Sequence, residues 1–169
     1  MEKLREDQIV DDIDEHNSRV ARLSYELAKK FNLSEETCEN IKRAAELHDV
    51  GKYYIPKSIL NKRGKLTNEE FEIMKKHPIY SFNRLSEDIE EIRYMVLLHH
   101  ESYNGTGYPL GLKGEEIPLG ARIIKICDVF DALTNDRVYR KQLSEEQAIK
   151  IMLDESYNHD PIILAIFME

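Results

Sequence analysis

Five of the six histidines in this chain stand in segments where an imidazole is expected to need a partner. The apolar stripes of the segments 41–45 and 92–96 continue into His48 and His99. These two rings are therefore predicted to point inward, where an unpaired polar group is costly. One buried histidine is usually hydrogen-bonded to a neighbour, but five such cases together favour a shared ligand. The five are His16, His48, His77, His99 and His100.

Two carboxylates complement these imidazoles. Asp49 follows His48 directly, and its two oxygens would allow it to bridge two cations. Asp128 follows Ile124 and Cys127 along one stripe of the segment ARIIKICDVFDAL. Mixed imidazole nitrogens and carboxylate oxygens suit Fe, Mn, Zn or Ni, whereas the lack of a thiolate pair argues against a structural cysteine-type zinc site. The sequence thus predicts a metal site that folding assembles from separate segments.

Helices are the elements that must position these side chains. Apolar residues recur at helical spacing through most of the chain, and segment 101–120, rich in NGTG, YP, GL and KG turns, is predicted to be a loop or short hairpin between two helices. No internal repeat or linker interrupts the 169 residues, so we predict one mostly helical domain over residues 1–169. Three helix starts are indicated by Thr67 with Glu70, by Ser144 with Gln147, and by Asp160 before Pro161.

The composition limits the kinds of partner. The formal charge is −8, which argues against binding long nucleic acids but allows a small phosphorylated ligand held by a few well-placed cations. Cys38 and Cys127 lie far apart without CxxC spacing, so we expect reduced, core-type thiols and a cytoplasmic protein. No signal-like stretch opens the chain, and no apolar run reaches the length of a membrane span.

Several motifs, in order, resemble one known family. HDVGK at 48–52 is similar to the signature of HD-superfamily phosphohydrolases, and HHE followed by NGTGYP at 99–109 is similar to the HD-GYP subgroup. HNSRVARLSYELA, the segment from AAELHDVGK to KKHP, the segment from HHESYNGTGYP to TNDRVYR, and the final HDP extend the match over about residues 12–167.

The resemblance implies a fold and a ligand set. The fold would be all-α, an HD-type helical bundle of five or more core helices with the glycine-rich GYP loop between two of them. The site would bind divalent ions, commonly iron or manganese. Family members bind two such ions and sometimes three. His16, His48, Asp49 and Asp128 would hold one ion, and Asp49 would bridge to a second held by His77, His99 and His100. Because successive helical side chains point about 100° apart, the adjacent His99 and His100 require a cation near the end of their helix.

A third ion is the less favoured alternative. Three-metal members of the family carry a glutamate four residues before the position of His16, where this chain has Asp12. One helical turn would place Asp12 on the same face as His16. The acidic run DDIDE is more simply interpreted as a solvent-facing surface.

Four further residues are candidates for catalysis or ligand binding. Lys52, four residues after His48, would lie on nearly the same face if the helix continued, and resembles the family lysine that contacts phosphate or the nucleophile; the alternative is a solvated lysine after a helix-capping Gly51. Tyr108 could stack on guanine or simply pack in a lid. Arg137 and Arg140 offer guanidinium forks for phosphate or guanine edges; otherwise they are surface arginines.

Two positions depart from common family patterns. Val138 stands where relatives often have proline, which could loosen that turn, and Asn104 stands where many have aspartate, although the asparagine form also occurs.

The resemblance implies a phosphodiesterase that hydrolyses cyclic di-GMP to pGpG, with GMP as a further product to be tested. A hydrolase of another nucleotide or cyclic dinucleotide is one alternative, and a non-catalytic effector that binds a cyclic dinucleotide or a protein is another. Family members often act behind sensor or receiver modules. The chain is therefore either a stand-alone enzyme or an excised domain. The sequence leaves its oligomeric state open.

Overall fold

Helices and turns account for the part of the chain that the structure, a computed structural model, describes: residues 6–136 and 141–169, among which there is no strand. The predicted all-α class is therefore confirmed. Arg137 and Arg140 lie outside the described residues. The α-helices are α1 (Glu6–Lys29), α2 (Glu35–Leu47), α3 (Lys57–Leu60), α4 (Asn68–Met74), α5 (His77–Arg84), α6 (Glu90–Leu98), α7 (Leu119–Thr134), α8 (Glu145–Asp154) and α9 (Pro161–Phe167). Short 3-10 turns cover Val50–Tyr54, Glu87–Ile89, Gly114–Glu116 and Ser156–Asn158.

One hydrophobic core holds the long helices together. Helix α1 packs against α2 and α7, α2 packs against α6, and α7 also contacts α8 and α9. The core is filled mainly by small and branched apolar side chains, as expected for closely packed helices. Cys38 and Cys127 are free thiols within this core, as predicted. None of the described helices is long and apolar enough to span a membrane.

The three predicted helix starts are confirmed. Thr67 and Glu70 form a reciprocal capping box at α4, and Ser144 and Gln147 do the same at α8. At α9 the carboxylate of Asp160 accepts hydrogen bonds from the backbone N–H groups of Ile162 and Ile163, at 2.9 and 3.2 Å.

Segment 101–120 is a loop rather than a hairpin. It contains turns, the 3-10 turn Gly114–Glu116 and the first residues of α7, with no strand pairing. Three of its glycines, Gly105, Gly111 and Gly114, have positive φ, a conformation that costs glycine little. The loop connects α6 to α7, as predicted.

His159, which precedes the Asp160 cap, gives a pH-dependent stability. Burial, reinforced by nearby Lys125, lowers its pKa from 6.5 to about 4. The unfolded chain therefore binds more protons between these values, and His159 is expected to lower the free energy of unfolding, by up to about 3 kcal/mol, as pH falls from 6.5 to 4. The free energies of unfolding of wild type and His159→Gln are measured by denaturant titration with a chelator present. As the pH rises through this window, the free energy of unfolding should increase more for wild type than for the variant. Parallel pH profiles would contradict the assignment.

Candidate metal centre

Seven side chains from separate elements bring their ligand atoms together inside the bundle. Helix α1 supplies His16, the end of α2 supplies His48 and Asp49, α5 begins with His77, α6 ends before His99 and His100, and α7 supplies Asp128. The ligand atoms form three overlapping groups, and within each group they lie no more than 4.8 Å apart: Asp49, His77, His99 and His100; His16, His48 and Asp49; His48, His99 and Asp128.

Three of the rings are oriented in the same way, each by the backbone carbonyl three residues earlier in the chain. Nδ1 of His48 lies 2.6 Å from the carbonyl oxygen of Ala45, and Nδ1 of His99 lies 2.6 Å from that of Val96. The corresponding distance from His77 to the Met74 carbonyl is 2.8 Å. A carbonyl oxygen can only accept, so Nδ1 carries the hydrogen in each ring and the Nε2 lone pair faces the centre of the cluster.

The polar atoms at this centre fit divalent cations. Nε2 of His16, His48 and His99 and Oδ1 of Asp49 are buried without a hydrogen-bond partner, although such atoms are normally paired. Nε2 of His77 faces Nε2 of His100 at 3.1 Å. Lone pairs that converge in this way are stabilised by a cation between them, and imidazole with carboxylate is a suitable donor set.

Asp49 is the central carboxylate of the cluster. One oxygen, Oδ1, lies 3.2 Å from Nε2 of His77, while Oδ2 accepts a hydrogen bond from Nζ of Lys52 and lies 3.7 Å from Nε2 of His16. Burial opposes ionisation, but Lys52, His48 and His77 hold the pKa of Asp49 well below its usual range. Asp49 is therefore an anion whose two oxygens face different parts of the cluster.

Three histidines of the cluster, His48, His99 and His100, favour their neutral, ligating form. Burial lowers the pKa of His48, and burial with neighbouring imidazoles lowers the pKa of His99 and His100 well below 6.5. His16 is different: burial lowers its pKa, but the neighbouring carboxylates of Asp128 and Asp131 outweigh this and raise it. Near neutral pH the lone pairs of His48, His99 and His100 are thus available for a cation.

The turn after His48 corrects two sequence-based interpretations. Helix α2 ends at Leu47, so Lys52 does not continue its face but reaches Asp49 from the 3-10 turn Val50–Tyr54. Gly51 does not have the left-handed conformation of a capping glycine. A glycine is required because a Cβ there would lie 1.9 Å from the His77 carbonyl oxygen and 2.6 Å from the Ser81 amide nitrogen.

The GYP loop covers one side of the cluster. The ring of Tyr108 stacks on that of His100, with centroids 4.8 Å apart and planes 23° apart. Burial raises the pKa of Tyr108, so the phenol is neutral. The outer edge of Tyr108 meets the half-exposed ring of Phe71, at a centroid distance of 6.5 Å. Tyr108 therefore stands between the cluster and the surface.

Glu101 holds this loop in place. Its side chain is 1% exposed, and its carboxylate accepts hydrogen bonds from the backbone N–H groups of Leu110, Gly111 and Leu112, at 2.6, 3.1 and 3.0 Å. A carboxylate with several backbone donors is a strong anchor. Glu101 therefore fixes the residues that follow Tyr108.

The structure brings together all seven residues predicted as metal ligands, together with Lys52 and Tyr108. Asp12 is exposed on α1 and belongs to none of the convergent groups. Sequence reasoning missed Glu101, Ser81 and Asp131, which support the site without belonging to the predicted ligand set. Glu101 was signalled only by its position after two histidines, and Asp131 by its three-residue spacing from Asp128.

The chain belongs to the HD domain family, whose model matches residues 5–163. The likeness to HD-GYP proteins predicted from the sequence is confirmed by the relatives, and membership of the family implies binding of divalent metal.

Two relatives and one solved structure illustrate the match. The chain is 45% identical to the cyclic di-GMP phosphodiesterase response regulator RpfG of Xanthomonas campestris, over 80% of this chain and 36% of the relative. It is 38% identical to a 3'3'-cGAMP-specific phosphodiesterase of Vibrio cholerae, over 91% of this chain and 30% of that protein. The chain thus spans about a third of the length of these relatives. In fold it is similar to an HDG"Y"P protein of Bdellovibrio bacteriovorus, with a TM-score of 0.74 and 24% identity over 92% of this chain and 51% of the other.

Proposed function

We propose that the chain is a metal-dependent phosphodiesterase that hydrolyses cyclic di-GMP to pGpG, with GMP as a further product to be tested. The observation that carries this proposal is the convergence of seven ligand side chains whose buried Nε2 and carboxylate atoms include four without a hydrogen-bond partner. The names of the relatives supply the substrate class, a cyclic dinucleotide.

The ligands would divide between two cations, and Asp49 would contribute to both. His16, His48, Asp49 and Asp128 would hold one ion, and Asp49, His77, His99 and His100 would hold the other. When bound, two divalent cations supply the positive charge that lowers the pKa of water and neutralises a phosphodiester. Iron or manganese suits the mixed nitrogen and oxygen donors. Asp12 is exposed, so a third ion held by Asp12 remains the less favoured alternative.

Lys52 and Tyr108 are the proposed substrate contacts among the described residues. The Lys52 ammonium lies beside Asp49 and is partly accessible, so it can donate a hydrogen bond to a phosphate oxygen brought to the cluster. Tyr108 presents an aromatic wall on which a guanine could stack. Arg137 and Arg140, which lie outside the described residues, stay predicted contacts for phosphate or guanine.

Regulation is part of the same proposal. One relative is named a response regulator, and this chain spans about a third of it. We propose that a receiver or sensor module acts with this domain in the cytoplasm.

The test is turnover by protein purified without oxygen and supplied with Fe²⁺ or Mn²⁺. Metal content is measured first, and cyclic di-GMP and 3'3'-cGAMP are then compared by chromatography of their linear products. We expect about two ions per chain. Cyclic di-GMP should be hydrolysed faster than 3'3'-cGAMP, with release of pGpG. Faster hydrolysis of 3'3'-cGAMP would move the assignment to that substrate, which other relatives at 37–38% identity favour. A metal-loaded protein inert toward both would overturn the proposal and indicate a binding effector.

Replacing Glu101 with glutamine is expected to weaken substrate use while metal content stays unchanged. The amide loses one acceptor oxygen and turns N–H groups toward the backbone N–H groups of Leu110, Gly111 or Leu112. An unsatisfied buried donor costs about 1–3 kcal/mol, so kcat/KM should fall roughly tenfold to a hundredfold, chiefly through KM. The matched control is Glu115→Gln, an exposed carboxylate on the same loop. Equal kinetics for the two variants would show that the anchor is dispensable.

A further inference from the structure

Asp131 is a buried carboxylate whose four hydrogen bonds are all made to side chains. It is 2% exposed and lies three residues after Asp128 on α7. Its Oδ2 lies 2.6 Å from Nδ1 of His16 and 3.1 Å from Nη2 of Arg19. Its Oδ1 accepts from Nε of Arg19 at 2.7 Å and from Nδ2 of Asn135 at 3.0 Å. Each oxygen therefore has two donors, and the carboxylate cannot rotate without losing some of them.

This arrangement distinguishes His16 from the other histidines of the cluster. His48, His77 and His99 are each oriented by a neutral backbone carbonyl three residues earlier in the chain. His16 lies within α1 and is instead oriented by an anion that comes from another helix. Its Nε2 lies 3.0 Å from Oδ1 of Asp128 and faces the cluster. Helix α7 thus supplies both a candidate ligand and the group that aims a second one.

We propose that Asp131 is a positioning residue that sets the affinity for the ion held by His16, His48, Asp49 and Asp128. The inference rests on the proposed metal centre. A carboxylate that accepts the Nδ1 hydrogen fixes the tautomer of the ring and makes Nε2 a better donor to a metal. Among the proposed ligands Asp131 contacts only His16, so its effect would fall mainly on the ion that His16 would hold.

Arg19 and Asn135 keep the carboxylate in this role. The Arg19 side chain is 35% exposed and approaches Asp131 with two nitrogens, which is the fork geometry that suits a carboxylate. Asn135 follows α7 and also donates to the Asp131 carbonyl oxygen at 3.1 Å. Together Arg19 and Asn135 fix the orientation of the Asp131 carboxylate, which would otherwise depend on the contact with His16 alone.

The test measures metal affinity and requires no substrate. Metal-free wild type, Asp131→Asn and Asp160→Asn are titrated with Mn²⁺, and free Mn²⁺ is followed by electron paramagnetic resonance. Asp160 is the matched control: it is 5% exposed and paired with Arg122 at 2.5 Å, but it belongs to no convergent group. We expect Asp131→Asn to bind one ion as wild type does and the other about 10- to 100-fold more weakly. Asp160→Asn should bind both ions normally, even though it unfolds more easily.

Three other outcomes are decisive. Unchanged binding in Asp131→Asn, or equal weakening of both ions, overturns the positioning role and leaves the metal centre standing. A wild type that binds no Mn²⁺ overturns the metal centre itself, and this role with it. If Asp131→Asn does not fold, Arg19→Gln replaces it: weaker binding of one ion, by a smaller factor, supports the role, and unchanged binding overturns it.

Discussion

Replacing Asp49 with alanine is expected to abolish hydrolysis of cyclic di-GMP, with kcat/KM falling at least about 1,000-fold, or about 4 kcal/mol of transition-state stabilisation. Asp49 is the one carboxylate that belongs to both of the proposed ligand sets, and its two oxygens face His77 and His16. Its loss also leaves the Lys52 ammonium without its buried counter-charge. The measurement is chromatography of product beside metal analysis of the same sample, and the variant should retain fewer ions than wild type.

The control for this experiment is Asp14→Ala. Asp14 is an exposed carboxylate on α1 that accepts a hydrogen bond from the Tyr53 hydroxyl at 2.7 Å, outside the convergent groups. The Asp14→Ala variant should hydrolyse cyclic di-GMP at nearly the wild-type rate. An Asp49→Ala protein with undiminished turnover and metal content would refute the bridging role.

Replacing Gly51 with alanine is expected to lower the free energy of unfolding by at least about 3 kcal/mol. The new methyl group would collide with the backbone of α5 at His77 and Ser81, and also with Ser81 Oγ at 2.7 Å. That hydroxyl accepts a hydrogen bond from the Gly51 N–H at 2.7 Å and donates one to the His48 carbonyl at 2.9 Å. The methyl group would therefore disrupt the hydrogen bonds that join α5 to the turn after His48. Denaturant titration of metal-free protein measures the effect.

Gly120→Ala provides a graded comparison. A Cβ there would meet the side chains of Met95, at 2.2 Å, and Ile41, at 3.0 Å, which can shift more easily than a backbone. Alanine within a helix also gains up to about 1 kcal/mol over glycine. The loss should therefore be clearly smaller than for Gly51→Ala. Similar losses at both positions would mean that backbone contact is not what requires Gly51.

The elements of this fold could be predicted where local chemistry determines them. Capping boxes at Thr67 and Ser144 and the Asp160 cap are interactions within four residues, so the sequence shows both partners. The turn after His48 could not be predicted in this way. Its 3-10 conformation and its glycine depend on the α5 backbone, which lies about thirty residues further along the chain.

The same division holds in the metal centre. The seven candidate ligands could be named because family motifs mark each one, and the structure brings their side chains together. The residues behind them could not, because a buried carboxylate such as Asp131 cannot be told from an ordinary helical aspartate until α1 is placed beside α7. Long-range partners of this kind become visible only with the tertiary structure.

The unpartnered nitrogens described above have a consequence for the lifetime of the protein. Each buried polar atom without a partner costs about 1–3 kcal/mol, a substantial fraction of the stability of a small domain. Ions that bind only the folded state offset this cost by mass action. A chain made when metal is scarce is therefore expected to unfold more often and to be degraded faster by proteases. Metal supply would then set the abundance of the protein as well as its activity.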